Sequence, residues 1–223
     1  MLRAVIFDMD GLLVDSEAIA AQAMDDFLAR YGFARRPEIH SQLLGRRLTD
    51  ALHIVKEGYA MPEPVDDLIA IYAGMRLAAL SGRVRPMPGA LEIVAFAREA
   101  GLRIAVASSG MREHVTLSLA ETGLAGRFDA EVTGEEVRQG KPAPDLFLRA
   151  AELLGVAPAD AVVFEDAPNG VAAAVAAGIW VAAIPERHGG PVEFPVPPDV
   201  TLPDLHAAIG WLRTLGAGAA IPS

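Results

Sequence analysis

The sequence predicts an α/β fold, a doubly wound parallel sheet with an inserted α-helical domain. Three short runs of small and β-branched residues have the pattern of strands that are buried on both faces. Helical patterns separate these runs, and right-handed strand–helix–strand units of this kind build a parallel sheet. The runs are AVIF at residues 4–7, IAVA at residues 104–107 and AVVF at residues 161–164.

Four helices are predicted between and after these strands. Each is followed by a glycine, which is the residue most often found just past the last turn of a helix. The predicted helices are residues 91–100, 112–122, 145–154 and 169–177, followed by Gly101, Gly123, Gly155 and Gly178. A further strand is predicted at residues 180–184, and residues 195–203 are interpreted as a loop with at most one short strand.

Residues 16–85 differ from the rest of the chain, because apolar residues recur there at helical spacing without a strand pattern. We therefore predict two domains, a core of residues 1–15 and 86–223 and a helical cap of residues 16–85. The stretches at residues 15–17 and 82–89 are candidate hinges, and the second of them contains two glycines and two prolines.

The composition of the 223-residue chain limits what it binds. It has 19 basic and 29 acidic side chains and a net charge of −10. Nucleic acids and anionic membranes require clustered positive charge, so we expect neither as a partner. The chain contains no cysteine, which excludes disulfides, thiolate zinc sites and a cysteine nucleophile.

We expect a cytoplasmic protein and take a monomer as the default. The N-terminal residues lack the basic start, apolar core and cleavage site of a secretory signal. The longest weakly polar run, residues 171–184, is shorter than the ~20 apolar residues of a membrane helix. It is interpreted as a buried helix that leads into a strand.

Polar residues directly follow three of the predicted strands. Ligands of open parallel sheets bind at the carboxyl ends of the strands, so these residues are expected to meet in one crevice. They are Asp8 and Asp10, Ser108 and Ser109, and Glu165 and Asp166.

The two pairs of acids indicate a metal site. Mg²⁺ binds carboxylate and carbonyl oxygens and commonly takes a substrate phosphate as a further ligand. The alternative is that Asp8 and Asp10 are ordinary turn or helix-capping residues. The second acidic pair, Glu165 and Asp166, favours the metal site.

Two further features indicate a place for an anion. Lys141 is one of only two lysines in the chain, and its loop is stiffened by the prolines that follow. A lysine there can place one compact charge between a carboxylate and a phosphate, although an exposed surface lysine is the alternative. Ser108 and Ser109 offer hydroxyl and N–H donors at a helix start, either for an anion or as an ordinary N-cap.

Four segments resemble, in the same order, the motifs of the haloacid dehalogenase-like hydrolase superfamily. They are FDMDGLLVDSE at residues 7–17, ASSG at 107–110, GKPAPD at 140–145 and FEDAPNG at 164–170. The helical segment after the first motif is similar to the C1-type cap of the branch that contains β-phosphoglucomutase-like proteins and small phosphatases. The resemblance implies a Rossmann-like core with this cap.

The resemblance implies catalytic roles for four residues. Asp8 is the expected nucleophile, which attacks phosphorus and forms an aspartyl-phosphate. Asp10 is expected to protonate the leaving alcohol and then to deprotonate the attacking water. Ser108 and Lys141 are expected to hold the oxygens of the transferring phosphoryl group.

The implied cofactor is Mg²⁺. Its expected protein ligands are Asp8, the backbone carbonyl of Asp10, and Asp166, with Glu165 as a further candidate. The cation would reduce the repulsion between a carboxylate nucleophile and a phosphate dianion.

Within the superfamily, the sequence favours a phosphatase whose partner is a small phosphorylated metabolite, in the first place a sugar phosphate. Asp10 indicates an oxygen leaving group, since a halide needs no proton. Lys56, the only lysine of the predicted cap, lies within a predicted helix and does not favour the Schiff-base chemistry of phosphonatases.

A sugar-phosphate mutase is the first alternative. β-Phosphoglucomutases carry a histidine on the first cap helix and an arginine in a cap loop, and the aligned residues here are Ala20 and Leu48. Both differences favour the phosphatase. Arg46 and Arg47 lie beside the second position and, with Ser109, are the candidate substrate-binding residues.

Two alternatives belong to another functional class. One is a phosphorylation-switched module similar to a receiver domain, which the helical segment opposes. The other is a silent protein that only binds a phosphorylated metabolite, which the complete motif set opposes. The histidines have no metal-ligand spacing and are interpreted as structural or surface residues, with His114 at the rim of the crevice at most. They are His40, His53, His114, His188 and His206.

Overall fold

The structure is a computed structural model that describes residues 1–43, 45–185 and 193–215 of the chain. Its strands are β1 (Ala4–Phe7), β2 (Val14–Asp15), β3 (Arg85–Pro86), β4 (Arg103–Ser108), β5 (Ala130–Thr133), β6 (Ala161–Glu165), β7 (Trp180–Ala183) and β8 (Val200–Thr201). Its α-helices are α1 (Glu17–Arg30), α2 (Pro37–His40), α3 (Leu48–Tyr59), α4 (Val65–Leu80), α5 (Ala90–Glu99), α6 (Arg112–Glu121), α7 (Asp145–Leu154), α8 (Pro168–Ala176) and α9 (Leu205–Leu215).

Six strands form a parallel sheet in the order β5-β4-β1-β6-β7-β8. Strand β1 lies between β4 and β6, so that Val5 is opposite both Ile104 and Val162. Its residues alternate between the two faces of the sheet, with Ile6 in one hydrophobic cluster and Phe7 in the other. Both faces are therefore buried, which explains why the strand is continuously apolar.

Helices cover both faces of the sheet. On one face α5, α6 and α9 pack through residues such as Ile93, Val115 and Leu212. On the other face α7 and α8 pack through residues such as Phe147 and Ala174. The predicted doubly wound parallel α/β fold is confirmed.

The segment that follows β2 and runs to the first residue of β3, which we call the helical insert (residues 16–85), contains α1 to α4. It has a hydrophobic cluster of its own, in which Phe27, Leu52 and Leu68 are fully buried. The two connections to the sheet pair with each other as the antiparallel ladder of β2 and β3, with Asp15 opposite Arg85. Three of its four residues, Asp15, Arg85 and Pro86, fall in the predicted hinge stretches, and Val14 precedes the first stretch by one residue.

The predicted elements and the observed ones agree closely, with three omissions. The first three predicted strands and the four helices begin and end within one residue of the observed bounds, and the glycine after each helix has a positive φ. Strand β5, helix α9 and the β2–β3 ladder were not predicted. Strand β5 is a short edge strand that contains Glu131, whereas α9 follows the proline-rich stretch and was overlooked although its buried residues have helical spacing. Among the described residues, no helix is both long and apolar enough to cross a membrane.

Candidate active site

A cleft of about 440 Å³ lies at the carboxyl ends of the central strands, below the helical insert. Asp8 follows β1 and Ser109 follows β4, whereas Glu165 is the last residue of β6 and Asp166 follows it. All four residues line this cleft. The parallel sheet thus brings together residues that are up to 158 positions apart, from Asp8 to Asp166, as the sequence predicts.

Lys141 lies at the base of the site and joins two of the acids. Its Nζ donates a hydrogen bond to Asp8 Oδ1 and another, of 2.7 Å, to Glu165 Oε1. The ammonium group also lies 4.7 Å from the ring centre of Phe147. The side chain is 1% exposed, so the alternative of an exposed surface lysine is wrong.

Glu165 has protein partners for both of its carboxylate oxygens. Oε1 accepts from Lys141, and Oε2 accepts from the backbone N–H of Ala167 at 2.6 Å. A Cβ atom at Gly170 would lie 1.6 Å from Oε1, so only glycine leaves room for this carboxylate. Glu165 is therefore held in one place by its surroundings.

The carboxylates of Asp8, Glu165 and Asp166 form a buried cluster that suits a divalent cation. One oxygen from each lies within 4.8 Å of the others. Asp166 Oδ1 is buried and has no hydrogen-bond partner among the described residues. Three carboxylates beside the single ammonium of Lys141 leave a formal charge of 1 − 3 = −2. A cation of charge +2 would balance this excess and give Asp166 a partner.

Gly11 makes room for Asp166 in this cluster. Its backbone has a φ of +81°, and a Cβ atom at this position would lie 2.4 Å from Asp166 Oδ2. Any larger residue would be strained in its backbone and would also displace the carboxylate.

Burial and mutual repulsion disfavour the charged forms of these acids when no cation is present. Burial raises the pKa of Asp8 to about 8, with Glu165 acting in the same direction and Lys141 opposing it. Burial, Glu165 and Asp8 also raise the pKa of Asp166 well above its ordinary value. Burial would lower the pKa of Lys141, but Asp8 and Glu165 outweigh burial and raise it, so the lysine stays protonated.

We expect the free energy of unfolding of the metal-free protein to fall as the pH rises from about 5 to about 8. The folded protein holds protons on Asp8 and Asp166 more tightly than the unfolded chain does. This contribution to stability is therefore complete at low pH and is lost as the pH rises through the folded-state pKa. Mg²⁺ binds the deprotonated carboxylates, so it should oppose the fall.

Denaturant titrations at several pH values, with EDTA or with MgCl₂, measure this effect. The matched control is Asp166→Asn, which removes one titrating carboxyl and should flatten the pH dependence. An equal pH dependence in the variant and the natural sequence would contradict the assignment.

Asp10 is not one of the three acids of the cluster, and its carboxylate has polar neighbours of its own. Ser108 Oγ lies 3.3 Å from Asp10 Oδ2, and Ser16 Oγ donates to Asp10 Oδ1. Arg76 Nη2 lies 3.5 Å and His114 Nε2 3.1 Å from the same Oδ1. Burial alone would raise the pKa of Asp10, but His114, Arg76 and Ser16 outweigh burial and hold it well below the usual range.

Arg76 and His114 are site residues that the sequence analysis missed. Of the two interpretations of the histidines, as structural or as surface residues, the surface one is wrong for His114, which is buried beside Asp10. Its place in the first turn of α6, just after the strand end at Ser108, was the available signal. Arg76 reaches Asp10 from α4 of the insert, 66 positions away, and no local pattern indicates this contact. His188 lies outside the described residues.

Ser108, which ends β4, and Ser109, which follows it, have different surroundings. Ser108 is buried, and its Oγ accepts a hydrogen bond from the N–H of Gly110 at 3.0 Å. Ser109 lines the cleft, and its Oγ donates to the carbonyl of Gly45 in the insert at 2.9 Å. Ser109, a predicted substrate-binding residue, thus also joins the end of the sheet to the insert.

The two candidate arginines of the insert point in different directions. Arg46 lines the cleft, and its Nε donates to the carbonyl of Gln42 at 2.8 Å. Arg47 is not among the residues that line the cleft in the described part of the chain. Its guanidinium is instead bound to Asp50 and to the carbonyls of Val137 and Arg138. The structure therefore does not support Arg47 as a substrate contact.

Comparison with known proteins agrees with the motifs and the geometry. Residues 2–178 match the family model of haloacid dehalogenase-like hydrolases. The chain is 31% identical to the phosphorylated carbohydrates phosphatase of Thermotoga maritima, over 80% of this chain and 82% of that protein. It is 32% identical to protein CbbY of Rhodobacter capsulatus, over 93% of this chain and 95% of that protein.

A solved structure has the same architecture. The crystal structure of a CbbY mutant from Rhodobacter sphaeroides, in complex with xylulose-(1,5)bisphosphate, superimposes with a TM-score of 0.79. The two chains are 26% identical, and the match covers 92% of this chain and 95% of that one.

Proposed function

Because the chain belongs to the haloacid dehalogenase-like hydrolase family, we propose that it is a Mg²⁺-dependent phosphatase of small phosphorylated metabolites. In this proposal the phosphoryl group passes first to Asp8 and then to water. The observation that carries the proposal is the buried site itself, a cluster of three carboxylates, two of which are paired with the ammonium group of Lys141.

Asp8 is the proposed nucleophile. It follows the central strand β1, lines the cleft and is oriented by its hydrogen bond from Lys141. An ammonium group beside the carboxylate lowers the repulsion that a phosphate dianion meets as it approaches. Attack on phosphorus would form an aspartyl-phosphate and release the alcohol, and water would then release inorganic phosphate.

Asp10 is the proposed acid and base. It protonates the leaving oxygen and takes a proton from water in the second step. His114 and Arg76 hold it as a carboxylate in the arrangement observed here, so it must take up a proton before the first step. Ser108, which lies beside it, is the proposed hydroxyl contact of the phosphoryl oxygens.

Asp8, Asp166 and the backbone carbonyl of Asp10 are the proposed ligands of the cation. The unpartnered Oδ1 of Asp166 supports its assignment. Glu165 has protein partners on both oxygens. We therefore propose that Glu165 holds Lys141 in place and that Asp166 is the preferred metal ligand. The cation would supply positive charge against the phosphoryl oxygens.

The substrate class follows from the rest of the cleft. Arg46 and His40 of the helical insert line the cleft, as do apolar residues of α1 such as Ala21 and Met24. Ala20 and Leu48 line the cleft as well, where β-phosphoglucomutases carry a histidine and an arginine. A phosphatase of a sugar phosphate or a related metabolite fits this lining better than a mutase does. The relative from Thermotoga maritima that is named for phosphorylated carbohydrates supports the same class.

We also propose the division into a core of residues 1–15 and 86–223 and a cap of residues 16–85. The separate hydrophobic cluster of the insert and the β2–β3 ladder at its two connections support it. A cytoplasmic location and a monomeric state remain predictions from the sequence.

We expect the protein to release inorganic phosphate from sugar monophosphates in MgCl₂ and not in EDTA. A panel of sugar and nucleoside monophosphates, with phosphate measured colorimetrically, tests this and ranks the substrates. ³¹P NMR of β-glucose 1-phosphate in the same buffer follows isomerisation. Isomerisation without phosphate release would establish the mutase, and binding without either reaction would establish a binding protein; both results contradict the proposal.

A further inference from the structure

Arg47 connects the helical insert to the loop that carries Lys141. Its Nε and Nη2 donate to the two carboxylate oxygens of Asp50 at 2.8 and 2.9 Å. Its Nη1 donates to the carbonyls of Val137 and Arg138 at 3.1 and 3.3 Å. Asp50 thus fixes the plane of the guanidinium at the start of α3. The remaining nitrogen, Nη1, binds the loop of residues 137–138 in the core.

Two glycines form the groove in which the side chain of Arg47 lies. A Cβ atom at Gly140 would lie 2.6 to 2.8 Å from Nε, Cγ and Cδ of Arg47. One at Gly134 would lie 2.5 Å from the carbonyl oxygen of Ser109 and 3.0 Å from Cγ of Arg47. Neither glycine has a positive φ, so their conformations do not require glycine. The absence of a side chain at Gly140 therefore serves the fit of Arg47, whereas at Gly134 it leaves room first for the backbone of Ser109 and then for Arg47.

The neighbouring residues of the insert lie equally close to the sheet. The carbonyl of Gly45 accepts a hydrogen bond from Ser109 Oγ at 2.9 Å, and a Cβ atom at Gly45 would lie 3.2 Å from Ala167 Cβ. The segment at residues 45–47 therefore contacts the ends of both β4 and β6. Arg47 is the polar anchor of this contact on the side of Lys141.

The loop bound by Arg47 leads directly to Lys141. Val137 and Arg138 precede the lysine by four and three positions, and Gly140 is its neighbour. The loop has its own hydrogen bonds, from the N–H of Gln139 to Asp145 and from the N–H of Ala143 to the carbonyl of Gly140. Because Arg47 binds the carbonyls of Val137 and Arg138, it helps to fix the backbone position from which Lys141 extends into the site.

We propose that Arg47 is a positioning residue, which holds the insert on the loop of residues 137–141 and thereby aligns Lys141 with Asp8. The role in alignment rests on the proposed function, whereas the clasp between insert and loop does not. When the insert lifts, the bonds from Arg47 to the two carbonyls break and the loop loses its support. The insert can then dock on the core only together with the placement of Lys141 beside Asp8.

The first test measures the distance between the insert and the core without any reaction. Because the chain has no cysteine, the substitutions Glu57→Cys and Glu152→Cys provide the only labelling sites, one exposed on α3 and one exposed on α7. Double electron–electron resonance between spin labels at these sites gives the distribution of distances. We expect Arg47→Ala to broaden it and to shift it to longer distances.

Gly140→Ala approaches the same clasp from the other side. Its Cβ would displace the stem of Arg47, so we expect the same shift with the arginine still present. Arg30→Ala, at an exposed arginine at the end of α1, is the control for the lost charge and should leave the distribution unchanged. Unchanged distributions in both Arg47→Ala and Gly140→Ala would overturn the clasp.

The second test uses the kinetics of phosphate release. Misplacement of a catalytic group by about 1 Å costs about 10²-fold in rate, so we expect kcat of Arg47→Ala to fall by ten- to a hundredfold with a smaller change in KM. Arg47→Lys keeps one donor and should recover part of kcat. A raised KM with unchanged kcat would mean that Arg47 binds substrate and would overturn the positioning role. A protein without phosphatase activity would still give the expected distance shift, so failure of the proposed function is distinguishable.

Discussion

Asp8→Asn is expected to lower phosphate release by at least about 10³-fold, because an amide oxygen is a poor nucleophile toward phosphorus. The backbone at the end of β1 and the hydrogen bond from Lys141 to the side-chain oxygen can both remain. The measurement is kcat with a saturating sugar monophosphate in MgCl₂.

The fold should survive this substitution. Asn replaces a carboxyl whose pKa is raised to about 8, so it removes part of the negative charge that the metal-free site holds at neutral pH. We expect the free energy of unfolding in EDTA to be no lower than that of the natural sequence. Asp10→Asn is the matched control, with an expected loss of about 10² to 10⁴-fold for a group that only transfers protons. An Asp8→Asn protein that retains a tenth or more of the activity would contradict the role of Asp8.

Lys141→Met is expected to lower the free energy of unfolding of the metal-free protein by about 3–5 kcal/mol at neutral pH. Methionine fills most of the same volume, but it leaves Asp8 and Glu165 without their shared cation in a buried site. Activity should be lost as well, since nothing else in the described site places a positive side chain between these two acids.

A double-mutant cycle separates the charge effect from packing. In an Asp8→Asn background the same Lys141→Met substitution removes the partner of one carboxylate instead of two, so its cost should be smaller. Lower pH should also reduce the cost, because protonated carboxyls do not need the ammonium group. A loss below about 1 kcal/mol at neutral pH, or an equal loss in both backgrounds, would show that the pairing contributes little.

The parts of the fold that depend on local patterns could be predicted from the sequence. Strand β1 is apolar throughout because both faces are covered, and the four predicted helices, α5 to α8, are followed by glycines that have a positive φ. Strand β5 could not be predicted in this way, because it is a short edge strand with only Val132 and Thr133 buried.

In the candidate site, too, the residues that lie in local motifs could be predicted, and those that depend on the packing of the insert could not. Asp8, Asp166 and Lys141 lie in short motifs at strand ends or in a stiff loop, so their meeting follows from a parallel sheet. Arg76 and Arg47 reach the core from helices of the insert, and their contacts depend on how that insert packs. The prediction that Arg47 contacts substrate rests on its nearness in sequence to Leu48, the position aligned with the arginine of mutases. Adjacent residues at the start of a helix point in different directions, and only the structure shows which one enters the cleft.

The central claim is that the phosphoryl group passes through Asp8, and trapping the intermediate tests it most directly. Protein mixed with substrate and MgCl₂ is quenched in acid within one turnover, treated with borohydride and digested for peptide mass spectrometry. Borohydride reduces an acyl phosphate to an alcohol, so homoserine should be found in place of Asp8 and only when both substrate and MgCl₂ are present. Phosphate release without homoserine at this position, or homoserine in place of Asp10, would contradict the account.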